Sequence, residues 1–165
     1  MSDDRPDTLG ARAEHRVGGC GGDIPPSAAG QLEPYGVRVA LQPASRGLEP
    51  RQFLTALLED LAASCLSSGA SVIGHLKCLL HTPGGVFACN LTSVRSGAQC
   101  SALDDGARKV LEPGAAARLD LAVLVYGLPV ATIDTLLRCA LANLLGPVEV
   151  AWSIAGSGEA SSIFP

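Results

Sequence analysis

Alternating apolar and polar residues predict a β-hairpin in the middle of the chain. The runs 72–81 and 86–94 alternate on either side of Pro83-Gly84-Gly85, which is a sequence typical of a turn. If residues whose numbers add up to 167 are paired, Cys78 lies opposite Cys89 and one face of the hairpin is apolar throughout. A shift of one residue would mix the apolar and polar sets, so the pattern favours this register.

The same reasoning predicts three further strands and two helices. A proline begins each predicted helix and a glycine ends it, and leucines recur between them at helical spacing. The predicted strands are 36–42, 117–126 and 148–154, and the predicted helices are 50–69 and 129–146. The segment 95–114 is predicted to be an irregular connection that contains a short helix at 104–111.

The order of these elements predicts an α+β fold. Two β-α-β units share one sheet of about five strands, and both helices cover the same face of that sheet. We therefore expect a two-layer split β-α-β sandwich of the ferredoxin-like or a related type, with the strand order left open. The opposite face of the sheet has no helices of its own.

The chain length of 165 residues suits a single domain. We expect this α+β domain to span residues 35–155. Residues 1–34 combine acids, arginines and a glycine-rich run without apolar periodicity, so they are predicted to be a disordered N-terminal tail. Residues 156–165 are predicted to be a flexible C-terminal tail.

Charge and composition argue against two classes of partner. A net charge of −4 and few aromatic residues are unlike a nucleic-acid-binding protein, which is usually basic. The chain contains no apolar run of about 18 residues, so no membrane segment is predicted. The first residues do not resemble a secretory signal, which favours a cytoplasmic location, where the six cysteines are expected to be reduced.

The helix-free face of the predicted sheet is the candidate functional surface. Alternation along the strands places charged, polar and small apolar side chains on it together, a mixture that suits a partner better than bulk water. The main prediction is a non-enzymatic binding or assembly protein that self-associates as a homo-oligomer or docks a protein partner through this face. The candidate partner-binding residues are Arg38, His75, Lys77, Asn90, Thr92 and Arg118.

The alternative prediction is a small-molecule or catalytic site that uses His75 and Lys77. These residues are two positions apart on one strand, so their side chains leave the same face roughly 7 Å apart. Such a pair suits an anionic ligand, with Arg38, Asn90 and Arg118 as additional contacts, or acid–base chemistry. No nucleophile is identifiable beside it, so catalysis is the less favoured prediction, and no catalytic residue or cofactor is assigned.

A metal site is the third hypothesis for this region, because His75, Cys78, His81 and Cys89 fall within fifteen residues. Strand alternation sends the cysteines toward the helices and the histidines away from them, so the four side chains do not converge. The sequence therefore predicts no metal site. It predicts two buried thiols, with a Cys78–Cys89 disulfide only under oxidising conditions.

Overall fold

The structure is a computed structural model that describes residues 32–104, 107 and 109–155, and these residues form six strands and two helices. In chain order the elements are β1 (Leu32–Pro43), α1 (Pro50–Ser67), β2 (Val72–Thr82), β3 (Gly85–Leu91), β4 (Gln99–Ala102), β5 (Ala117–Tyr126), α2 (Val130–Leu145) and β6 (Val150–Ala155). The fold is α+β, as predicted. Neither helix in this part of the chain is long and apolar enough to cross a membrane.

All six strands belong to one antiparallel sheet in the order β4-β3-β2-β5-β1-β6. The central strand β5 lies between β2 and β1, and β1 in turn lies between β5 and β6. Helix α1 therefore connects two strands that flank β5, and α2 connects two strands that flank β1. The outer strands β4 and β6 each have only one neighbour among the described residues.

The hairpin of β2 and β3 has the register predicted from the sequence. Cys78 pairs with Cys89, and every pair from Leu76–Leu91 to His81–Val86 is as expected. The pairing of β2 with β5 shifts at Gly74, where β2 forms a bulge. A Cβ atom at Gly74 would lie 2.9 Å from the carbonyl oxygen of Leu124, so the close approach of the two backbones requires glycine there.

The core lies between the sheet and the two helices. Helix α1 begins at Pro50, as predicted, and the side chain of Glu49 caps it by accepting hydrogen bonds from the backbone N–H groups of Arg51 and Gln52, at 3.2 and 2.7 Å. Apolar side chains of both helices pack on the sheet side chains that alternation directs toward them. The fully buried members include Leu41, Leu54, Leu57, Leu58, Leu61, Leu76, Leu80, Leu91, Leu119, Leu121 and Ile133.

A polar contact fixes α2 against β1. The hydroxyl of buried Tyr35 donates to Asp134 at 2.7 Å, and the Nε of Arg138 donates to the other carboxylate oxygen at 2.7 Å. Burial is the largest influence and acts to raise the pKa of Asp134, but the hydrogen bonds from Arg138 and Tyr35 together outweigh it and lower that pKa. The carboxylate therefore remains charged and keeps both hydrogen bonds near neutral pH.

The segment 95–114 differs most from the prediction. It contains the strand β4, so the sheet has six strands rather than about five. Described residues within the predicted helix 104–111 are not helical, and Leu111 forms a β-bridge with Leu48. β4 is only four residues long and has no β-branched or aromatic residue, so it lacks the composition by which strands are recognised.

The ends of several elements also differ from their predicted positions. β3 ends at Leu91 rather than at residue 94, and β6 begins at Val150 because Gly146–Val148 form a 3-10 turn. β1 begins at Leu32, inside the predicted N-terminal tail 1–34. The rest of that tail and the tail 156–165 lie outside the described residues.

The expectation that all cysteines are reduced is wrong for this structure. Cys89 on β3 forms a disulfide with Cys100, its register partner on β4, and Cys139 is disulfide-bonded as well. Cys65 and Cys78 are buried free thiols. The Cys89–Cys100 bond was not foreseen because without β4 nothing placed Cys100 opposite Cys89.

Candidate functional site: the helix-free sheet face

The helix-free face consists of the strand side chains that point away from α1 and α2. Its central part contains the polar residues His75, Lys77, His81, Asn90, Arg38, Arg118 and Asp120, together with Leu79, Ala88, Ala122 and Leu124. The two faces thus separate as alternation predicts: Cys78 and Cys89 are buried under the helices, while Lys77 and Asn90 are exposed on the other side. Within the described residues, no helix covers this face.

Asp120 is the centre of a cation cluster formed by two arginines on this face, with a histidine beside them. It is only 4% exposed, and it is the one charged residue that the described part of the chain buries. Its carboxylate accepts from the Nε of Arg38 at 2.8 Å and from the Nε of Arg118 at 3.2 Å, and the Nε2 of His81 lies 3.4 Å away. Three neighbouring strands supply these contacts, since Arg38 lies opposite Asp120 on β1 and His81 lies opposite Arg118 on β2.

The buried carboxylate orients the two guanidinium groups, while much of each remains accessible. The side chains of Arg38 and Arg118 are about half exposed, at 50% and 48%. Each uses its Nε toward Asp120, and a guanidinium offers further N–H donors that can bind a carboxylate or phosphate. One negative charge between two permanent positive charges leaves a surplus of positive charge at the surface.

The remaining predicted residues form a separate group along β2 and β3. Lys77 lies opposite Asn90 in the sheet and both are exposed, while His75 is half-buried next to the bulge. Thr92 is exposed and follows the last residue of β3. His75 lies six residues from His81 on the same strand, which corresponds to roughly 20 Å. Five of the six predicted residues therefore share one face, Thr92 lies beyond the end of its strand, and the six do not converge on one small ligand.

An apolar row borders the same face at one end. Val72, Tyr126 and Leu32 lie opposite one another on β2, β5 and β1, and they are 53%, 37% and 40% exposed. Val72 points outward because the bulge at Gly74 reverses the alternation of β2 before it. The helix-free face thus joins exposed apolar side chains to a positively charged centre.

A shallow depression lies next to the cation cluster, between β1 and β6. Its volume is about 270 Å³, and the residues that line it include Ala40, Gln42, Ala151 and Ser153 but neither Arg38 nor Arg118. Ala40 lies directly opposite Arg118, and Arg38 is two residues away on the same strand and face. The depression is slightly smaller than the usual range for ligand pockets, which begins near 300 Å³, so it suits a single small group.

Two site residues were missed by the sequence analysis. Asp120 was not among the candidate residues, because nothing in its own segment indicated that it is buried. His81 was considered only as a metal ligand. Among the described residues, no group of three or more histidine, cysteine or acidic side chains is arranged to hold a metal ion. Both residues could have been identified from the fact that β1, β5 and β2 are neighbours in the sheet. The sequence analysis left this strand order open.

Comparison with known proteins gives no relative. No protein-family model, no curated protein and no solved structure matches this chain.

Proposed function

We propose that this chain is a non-enzymatic binding protein whose helix-free sheet face docks an acidic segment of a protein partner. The observation that carries the proposal is the charge of that face. Its strand residues include three permanent cations, Arg38, Lys77 and Arg118, and a single acid, Asp120, which is buried and already paired. The whole chain has a net charge of −4, so the strand residues of this face carry a charge opposite in sign to that of the chain.

We also propose that the fold belongs to the ferredoxin-like class of split β-α-β sandwiches. The strand order β6-β1-β5-β2, with helices after β1 and β5, supports this assignment. The hairpin partner β3 and the edge strand β4 then form an insertion that widens the sheet. The extra width enlarges the helix-free face on the side of Lys77 and Asn90.

An acidic partner is favoured over a symmetric homodimer built on this face. In a two-fold symmetric contact the same patch of both copies meets, so the cations near the symmetry axis would face cations. An extended segment that alternates acidic and apolar side chains complements the face better. Its acids would approach Arg38, Arg118 and Lys77, and its apolar side chains would cover the row formed by Val72 and Tyr126.

A model peptide tests the docking proposal. We expect a fluorescein-labelled twelve-residue peptide of alternating glutamate and leucine to bind the full chain, as measured by fluorescence anisotropy, and to bind less tightly as salt is raised. Lys77→Glu should weaken this binding roughly tenfold, because it reverses the charge of an exposed side chain on the face. The free energy of unfolding should change little.

The matched control is Arg51→Glu, which reverses an exposed charge on the helix side. This variant should bind the peptide as the unmodified chain does. A peptide in which lysine replaces glutamate should not bind. Equal losses in the two variants, or equal binding of the two peptides, would contradict the docking proposal.

A small anionic ligand is the second candidate function, and the depression beside Arg38 and Arg118 is the observation that favours it. The two arginines do not line the depression, but they flank Ala40 in the sheet, so half-exposed guanidinium groups oriented by Asp120 lie beside any phosphate or carboxylate group bound there. The hydroxyl of Ser153 and the amide of Gln42 provide further polar groups around the floor. This candidate uses the arginines and not the His75–Lys77 pair of the sequence-based alternative.

Filling the depression tests the second candidate. We expect phosphate to raise the melting temperature of the chain by a few degrees more than chloride does at equal ionic strength, because a ligand bound only to the folded state stabilises it. Ala40→Leu should abolish the difference, since the larger side chain occupies the floor. Ala63→Leu, at an exposed position of α1, is the control and should retain it. A difference that persists in Ala40→Leu would place the phosphate elsewhere.

A further inference from the structure

Three cysteines form one row across β2, β3 and β4. Cys78 lies directly opposite Cys89, and Cys89 lies directly opposite Cys100. Cys78 and Cys89 are 1% and 2% exposed on the helix side of the sheet, and Cys100 is partly buried. The disulfide joins Cys89 to Cys100, whose Cα atoms are 4.1 Å apart, and leaves Cys78 as a free thiol.

The row gives Cys89 two neighbours within reach of a disulfide. Residues directly opposite each other on antiparallel strands have Cβ atoms about 4.5–5.5 Å apart, close to the separation that a disulfide needs. Because Cys89 is on the middle strand, Cys78 and Cys100 lie on opposite sides of it. Thiol–disulfide exchange requires this arrangement, since the attacking sulfur approaches the central sulfur from the side opposite the leaving sulfur.

We propose that Cys89 is the shared partner of an internal thiol–disulfide exchange between Cys78 and Cys100. The Sγ of Cys78 loses its proton and attacks the Sγ of Cys89. The Cys78–Cys89 bond forms as the Cys89–Cys100 bond breaks, and the electron pair of the broken bond leaves on Cys100, which takes up a proton. The number of disulfides is unchanged, so the step needs neither an oxidant nor a reductant.

The exchange transfers the covalent link from the edge of the sheet to its interior. With Cys89 bonded to Cys100, the four-residue strand β4 is linked covalently to β3; with Cys89 bonded to Cys78, β4 keeps its backbone hydrogen bonds to β3 and the packing of Cys100 and Ala102 against the core, but no covalent link. The released Cys100 lies beside α1, where the hydroxyl of Thr55 is 3.3 Å from its sulfur. The exchange thus removes the covalent anchor of the edge strand and creates a partly buried thiol.

Burial determines how fast this exchange proceeds. Removal of the thiol from water raises the pKa of Cys78 to about 12, and a hydrogen bond from the backbone of Cys89 opposes this only in part. Only the thiolate attacks a disulfide, so the exchange is slow near neutral pH. Its initial rate should rise about tenfold for each pH unit below that pKa, because the thiolate fraction rises in this proportion.

Disulfide mapping of the full chain tests the proposal. The protein is incubated without reductant at pH 7, 8 and 9, quenched with acid, alkylated with N-ethylmaleimide, digested and analysed by mass spectrometry. We expect a Cys78–Cys89 linked peptide to appear as the Cys89–Cys100 peptide is lost, at an initial rate that increases about tenfold per pH unit. Cys65→Ser should leave this rate unchanged, because Cys65 is buried on α1 and is not in the row.

A second variant tests whether the Cys78–Cys89 bond forms when the Cys89–Cys100 bond cannot. In Cys100→Ser, mild oxidation with oxidised glutathione should join Cys78 to Cys89 in the folded protein. Persistence of Cys89–Cys100 at pH 9 together with a glutathione adduct on Cys89 in Cys100→Ser would overturn the proposal. A disulfide that Cys65 forms as rapidly as Cys78 does would also overturn the proposal, since that result shows exchange in the unfolded chain. Circular dichroism of each sample at the time of the quench shows that the chain is folded.

Discussion

Leu121→Ala is expected to lower the free energy of unfolding by about 2–5 kcal/mol. Leu121 is fully buried at the middle of the central strand β5, between Val37 on β1 and Cys78 on β2. Truncation leaves a cavity under the helices, which the surrounding strands can fill only in part. Urea unfolding followed by circular dichroism measures the change.

Leu124→Ala is the matched control for this prediction. Leu124 is three residues further along the same strand, on the helix-free face, and is only half-buried. Truncation of Leu124 should lower the free energy of unfolding by less than half as much as truncation of Leu121, because less apolar surface returns to water. Equal losses of unfolding free energy in the two variants would contradict the assignment of Leu121 to the buried face and of Leu124 to the helix-free face.

Asp120→Asn is expected to lower the free energy of unfolding by about 1–3 kcal/mol at low salt. Asparagine has nearly the same shape, but it removes the negative charge that holds Arg38, Arg118 and His81 together. The two arginines then repel each other without compensation, although their half-exposed side chains can turn toward water, which keeps the cost below that of a fully buried pair.

Salt dependence distinguishes this effect from a simple loss of packing. The cost of Asp120→Asn should be smaller at 0.5 M than at 0.05 M sodium chloride, since salt screens both the lost attraction and the new repulsion, with a Debye length of about 10 Å at 0.1 M. Asp60→Asn, at an exposed carboxylate on α1, is the control and should change stability by no more than about 0.5 kcal/mol. A cost that grows with salt, or one as small as that of Asp60→Asn, would contradict the assigned role of Asp120.

The hairpin was predictable because its information is local. A turn sequence and two alternating runs determine the register of β2 and β3, and Cys78 lies opposite Cys89 as expected. The start of α1 at Pro50 is likewise encoded in a few adjacent residues. Such features need no knowledge of which distant strands become neighbours.

The cation cluster was not predictable in the same way. Asp120 is buried because Arg38 and His81, on the strands at either side, enclose it, and these contacts join segments about 80 and 40 residues apart along the chain. Alternation along β5 places Asp120 on the helix-free face but does not show that it is buried. The order of the strands, which alternation does not determine, turns this surface position into a buried one.

The disulfide shows how one missed strand affects later conclusions. With β4 unrecognised, Cys100 had no assigned neighbour, and the cysteines were expected to be reduced because of the predicted cytosolic location. The bond between Cys89 and Cys100 contradicts that expectation.

The two edge strands of the sheet differ in how readily they would pair with a strand of another chain. β4 presents only four residues, and short edge strands are poor templates for another chain. β6 is longer, and its sequence Val-Ala-Trp-Ser-Ile-Ala contains no charge that would discourage edge-to-edge pairing. Within the part of the chain that the structure describes, β6 is therefore the edge more open to pairing with a strand of another molecule at high concentration.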